Sequence, residues 1–165
     1  MNSVEIVSES ILDDFADLVS ANKKRLYRLW LVTPWLGYDD YRTDPLYVLI
    51  DSLRKTNCTI TLITRPPKDD WHQNAVDLLM ARIKPILYHC PALHTKLYVL
   101  ECNGFRASIL GSPNLTPNAN KRNRELAVRF CTTETDKKNN VVRIVNTLIA
   151  YARDLCIEDG VTLAD

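Results

Sequence analysis

The sequence predicts an α/β domain: a mixed, mostly parallel central sheet with an antiparallel hairpin, flanked by helices on both faces. Three observations predict it. Helix-spaced and strand-like apolar patterns alternate from residue 8 to residue 89, the order expected of a sheet with helices packed on its faces. Two apolar runs then flank Asn103-Gly104, the dipeptide of tight β-hairpins. A long helix-spaced segment closes the chain.

Each element follows from local pattern. Ile6, Ile11, Leu12, Phe15 and Leu18 recur at helical spacing, so residues 8–20 read as an amphipathic helix ended by Lys23-Lys24-Arg25. Leu26 to Thr33 is dense in apolar residues, reads as a buried strand and is stopped by Pro34. Trp35 to Thr43 reads as a polar, aromatic loop. Asp44 caps a helix with Pro45 at its first position, running to about Lys55. Cys58 to Thr64 is rich in β-branched residues and reads as a strand broken by Arg65-Pro66-Pro67. Asp70 can cap a helix from Trp71, read as a core residue at the helix start, to about Ile83, and Pro85 to His89 is a third strand.

The hairpin strands are Lys96 to Cys102 and Phe105 to Leu110, joined by a type I′ turn with positive φ at both central residues. Pro113 to Asn123 reads as a loop and Glu125 to Cys131 as a strand. Asp136 to Cys156 reads as the closing helix, with a short fraying tail from Glu158.

The 165 residues suit one domain over 1–165, and an apolar share of 46% can bury a core. No run is long enough to span a membrane, and the first residues lack a signal-peptide pattern. Five cysteines scattered without a C-x-x-C pair suit free thiols in a reducing cytoplasm, with Cys58, Cys102 and Cys131 as small buried hydrophobes. His89, Cys90, His94 and Cys102 lack paired zinc-ligand spacing, so no metal and no cofactor are expected. A net charge of +1 excludes a strongly basic nucleic-acid coat but leaves room for a local cleft.

The chemistry concentrates in residues 93–126. Side chains alternate along a strand, so His94 and Lys96 share a face with Tyr98, and Glu101 takes the other. Antiparallel pairing returns Ser112 and Asn114 to the hairpin's open end. The lysine fixes an anion and its charge disfavours protonation of the histidine, leaving a neutral imidazole able to attack. Ser112 and Asn114 add neutral donors, and Glu125 is expected to hold the imidazole tautomer. These parts suit attack on a phosphodiester. Lys121, Arg122 and Arg124 lie beside them, and Trp35 and Arg65 follow the first two strands, where ligands gather in open α/β sheets; all five are candidate substrate contacts.

The pattern His94-x-Lys96, an acidic residue after four more, then Gly111-Ser112-x-Asn114, resembles the HKD motif of the phospholipase D superfamily. Glu125 follows Asn114 at the spacing of that superfamily's small bacterial nucleases. The likeness is specific over residues 93–126, and the upstream element order extends it to roughly 5–155. Two departures stand out. Glu101 replaces the family's aspartate, on the strand face away from His94. The stretch from Glu101 to Gly111 is longer by a few residues, which extends the hairpin.

The resemblance implies a phospholipase D-like fold and a metal-independent phosphodiesterase acting through a covalent phosphohistidine. One histidine attacks phosphorus; a second protonates the leaving oxygen. The chain carries a single motif, so the resemblance implies a homodimer that completes the site. A DNA- or RNA-cleaving endonuclease is expected first, with DNA favoured as the nucleic-acid partner. The alternatives are hydrolysis of a phospholipid or other diester, and a catalytically weak interaction module. No membrane contact is expected, because the first helix is acidic on its polar face. A larger partner such as a nucleic-acid motor would bring substrate to so small a chain.

Overall fold

In the computed structural model, residues 2–39, 44–54, 56–121, 123–133 and 139–164 are described. The expected contributions of Tyr41, Lys55, Arg122 and Asp136 lie outside them. Eight strands form one sheet: β1 (Asn2–Val7), β2 (Leu26–Val32), β3 (Thr59–Thr64), β4 (Ile86–His89), β5 (Leu97–Cys102), β6 (Phe105–Gly111), β7 (Ala127–Thr132) and β8 (Thr162–Leu163). Their spatial order is β1-β7-β6-β5-β2-β3-β4-β8. The helices are α1 (Ile11–Asn22), α2 (Pro45–Leu53), α3 (Asp70–Arg82), α4 (Pro117–Lys121) and α5 (Asn140–Asp154).

Strand alternation sorts the core into two layers. Leu29, Leu31, Leu62, Tyr98 and Leu100 meet the apolar stripes of α1, α2 and α3 on one side of the sheet. Trp30, Val32, Ile63, Leu97 and Val99 meet Val145, Ile149 and Ala152 of α5 on the other. Helices thus cover both faces, as the apolar patterns require.

The sheet is mixed, but "mostly parallel" needs correction. Parallel pairing is confined to β2–β3 and β3–β4. The β1–β7, β7–β6, β6–β5, β5–β2 and β4–β8 junctions are antiparallel. The hairpin inserts beside β2 and converts that half of the sheet. This matters for function. Because β5 runs against β2, with Leu97 opposite Val32, the start of β5 lies at the edge where β2 and β3 end. The end of β6 and the start of β7 return to that edge, with Gly111 opposite Ala127.

Local differences have local causes. The N-terminal segment is a strand on β7, not a lead-in to the helix, and Arg129 ties it down through Glu5 and Asp14. Asp69, not Asp70, stands at the N-cap of α3. The Asn103-Gly104 turn has positive φ only at Gly104, +74°, so it is not type I′. Asn103 N–H donates to Arg25 O at 3.0 Å, which holds Asn103 in line with β2. Part of the expected loop 113–123 forms α4, and Glu125 precedes β7. The tail forms the short strand β8, which pairs with β4. Asp44 caps α2 as expected, accepting from Leu46 N–H at 2.8 Å.

Candidate active site

The edge gathers five chain segments. Thr33 follows β2, Arg65 follows β3, His94 and Lys96 precede β5, Ser112 and Asn114 follow β6, and Glu125 precedes β7. Backbone bonds join them. Gly111 N–H donates to Lys96 O at 3.2 Å, and Ser112 N–H to Leu126 O at 3.0 Å. Gly111 has no room for a side chain: an added Cβ would stand 2.4 Å from Leu126 O. The glycine of the Gly-Ser-x-Asn stretch is therefore what lets β6 and β7 close on each other.

His94 is exposed and Lys96, two residues on, is only 9% exposed. Between them, Thr95 Oγ1 and Tyr151 OH of α5 are hydrogen-bonded at 2.6 Å. That contact turns Thr95 toward α5 and leaves the opposite face to its neighbours. Lysine is seldom buried unless paired. Yet among the described residues no carboxylate lies within ion-pair distance of Lys96. A lysine packed along its stem, with no carboxylate partner among the described residues, is a ready anchor for an anion.

Ser112 Oγ accepts from Leu126 N–H at 3.0 Å and donates to Glu125 Oε2. Glu125 Oε1 accepts from Asn123 Nδ2 at 3.1 Å. The expected bond from the His94 ring to Glu125 is not made among the described residues. Glu125 lies in the loop before β7, and the Ser112–Leu126 pairing sets its carboxylate over the serine. In this geometry it orders Ser112. Asn114 Oδ1 is buried with no donor among the described residues. Such an acceptor costs on the order of 1–3 kcal/mol unless a ligand supplies the proton.

Two supporting residues carried no signal in the sequence. Tyr98, fully buried against Phe15, donates from its hydroxyl to Pro113 O at 2.8 Å. Thr33 Oγ1 donates to Trp35 O at 3.0 Å and accepts from Leu115 N–H at 3.3 Å. With Gly37 N–H on Leu115 O at 3.0 Å, these bonds fasten the loop after β2 to the loop carrying Asn114.

Glu101 lies on the α5 side, away from this edge. Trp30 Nε1 donates to its carboxylate at 2.9 Å, and Arg28 stands 3.9 Å away. The longer carboxylate is structural.

Among the flanking candidates, Arg65 donates from Nε to Leu93 O at 2.7 Å, beside His94. Its guanidinium lies over the Trp35 ring at 4.7 Å. Arg124 is exposed. Lys121 ends α4, and Arg122 lies outside the described residues. Trp71 corrects the sequence reading: it is 47% exposed rather than core.

Burial holds the thiols protonated: Cys58 is pushed up to about 12 and Cys102 to about 11. Among the described residues no cluster of three or more His, Cys, Asp or Glu is arranged to hold a metal ion.

This architecture is the phospholipase D-like fold. The structure is similar to Nuc from Salmonella typhimurium, a phospholipase D family member: TM-score 0.67, 14% identity, 93% of each chain covered. It is also similar to NucT from Helicobacter pylori, with a TM-score of 0.63, 13% identity, and 93% of this chain and 94% of that one covered. Phosphatidylserine synthase from Haemophilus influenzae matches at a TM-score of 0.51 and 12% identity over 98% of this chain and 45% of its own. No protein-family model and no curated protein sequence matches the chain.

Proposed function

We propose that the chain is a phosphodiesterase of the phospholipase D type that cleaves nucleic acid, with DNA the favoured substrate, through a covalent phosphohistidine. One observation carries this reading. An exposed imidazole, His94, stands at a sheet edge two residues from Lys96, a lysine only 9% exposed with no carboxylate partner among the described residues. The HKD-like spacing and the shared fold support it.

Lys96 and Asn114 hold the phosphoryl oxygens. A ring nitrogen of His94 attacks phosphorus; a P–N bond forms as the bond to the leaving oxygen breaks. A second histidine, from the partner copy in a homodimer, gives its proton to that oxygen. It then takes a proton from water, whose oxygen attacks phosphorus. The P–N bond breaks, releasing a phosphomonoester and His94. No metal ion or cofactor enters these steps. Glu125 is a positioning residue acting through Ser112. Arg124, with Lys121 and Arg122, supplies flanking phosphate contacts, and Arg65 and Trp35 form one wall of the substrate path.

The test uses plasmid and single-stranded DNA in the presence of a chelator. Cleavage is expected, lost in His94→Ala, with a phosphorylated His94 recovered after a quench that avoids acid. Release of a lipid headgroup without DNA cleavage, or full cleavage by His94→Ala, overturns the proposal.

A further inference from the structure

Beside the motif lies a cleft of about 480 Å³, within the usual range for ligand sites. Trp35, Tyr38, Trp71, Asn114, Asn118 and Asn123 are among its lining residues. The two indoles are held in place. The Trp71 ring rests against Gly37, where an added Cβ would come within 3.1 Å of Cε3, and much of the ring faces solvent. Trp35 also lines the smaller neighbouring cavity that contains Arg65. The guanidinium covers the ring there, which leaves the rest of Trp35 to the larger cleft.

The polar lining is as informative. Three amides and Thr116 face the cleft, with one carboxylate, Asp39, and no lysine or arginine among the described lining residues. Among these described lining residues a phosphate would meet no positive charge. A flat, neutral group rich in donors and acceptors would meet indole faces to stack on and amides for its edge. Asn114 belongs both to this cleft and to the motif, so whatever fills the cleft lies next to the motif.

We propose that this cleft is a nucleobase subsite, in which the base next to the scissile phosphate stacks on Trp71 and Trp35 and is read by the Asn114, Asn118 and Asn123 amides. The proposal rests on the phosphodiesterase reading of the adjacent site. A base held there has left any duplex stack, so the chain selects single-stranded or unpaired nucleic acid, and a duplex must first be opened.

The His94→Ala chain, which does not consume its ligand, is titrated by fluorescence anisotropy with a labelled oligothymidylate, an abasic strand of equal length and charge, and a duplex. The oligothymidylate is expected to bind most tightly and to quench tryptophan fluorescence. Trp71→Ala weakens its binding roughly 5- to 150-fold, the range for losing one stacked base, while leaving abasic binding unchanged; Trp71→Phe retains most of the affinity. Equal affinity for base-containing and abasic strands overturns the subsite. So does displacement of the oligonucleotide by phosphocholine together with quenching by phosphocholine alone, which assigns the aromatic wall to a cationic headgroup. Diester cleavage by the wild-type chain is scored separately. Cleavage without base discrimination overturns only the subsite; base discrimination without cleavage overturns only the activity.

Discussion

Lys96 shows how a single residue can be placed for function at the expense of comfort. Its stem is packed and its ammonium has no described counter-ion. Removing one partner of a buried pair is costly, but here no carboxylate partner stands among the described residues. Lys96→Met keeps the stem's volume and deletes the charge. Turnover is expected to fall by about 10²–10³-fold, the scale for losing one preorganised charge-stabilising group. The urea midpoint of unfolding is expected to hold or rise. Undiminished turnover, or clear destabilisation, would show that Lys96 serves the fold instead. The same residue was legible from sequence, with His94, Ser112 and Asn114, because alternation and linked spacing make polar residues conspicuous in an apolar hairpin. Thr33 and Tyr98 were not legible. A threonine ending a strand and a tyrosine within one look like ordinary β formers until their long-range partners, Leu115 and Pro113, are known. Trp71 misled because an aromatic residue at a helix start fits core and surface alike.

At the scale of elements, strong local pattern was readable and remote pairing was not. Strands β2, β3 and β5 and helices α2, α3 and α5 carry dense apolar patterns. Strand β1 leaves Val4 53% and Ile6 76% exposed, so its stability comes from pairing with β7 across most of the chain length, which no local window contains. The same limit hid β8 and the antiparallel half of the sheet. The packing of α3 on β3 and β4 also sets a pH response. His72 is 2% exposed, its Nε2 bonded to Thr64 Oγ1 at 3.1 Å. Thr64 donates its proton to Pro34 O, so His72 Nε2 carries the hydrogen. Burial, then the nearby His89, lowers the His72 pKa; burial lowers that of His89, whose Nε2 has no partner among the described residues. Both rings gain protons more readily in the unfolded chain. Their stability contribution is therefore present above the unfolded value, about 6.5, and is lost as pH falls from there toward the lowered folded values. Urea midpoints at pH 7.5 and 5.5 should show that loss in the wild type and a smaller one in His89→Phe. An equal loss in both would remove His89 from the account.

For the whole molecule, the histidine inventory becomes the argument for assembly. The mixed sheet brings every motif residue to one edge, and His94 is the one imidazole there that is exposed. The chain has three histidines. His72 is buried and committed to Thr64, and His89 Nε2 has no partner among the described residues. No contact among the described residues joins either ring to His94. On the proposed phosphohistidine mechanism, a second copy in a two-fold arrangement would supply the second histidine by setting one His94 opposite the other. Leu126, beside the motif, is 58% exposed and Leu110, at the end of β6, is 38% exposed, apolar surface that such an interface would cover. If both histidines of the pair act at one phosphate, a mixed dimer holding one His94 and one alanine is dead. Wild-type chain is mixed with a tenfold excess of His94→Ala under conditions that exchange subunits. Activity per wild-type chain should then fall about tenfold, the share of wild-type chains still paired with each other. Activity per wild-type chain that stays constant through the titration would mean that each chain completes its own site, and the proton donor would have to be sought outside the histidines.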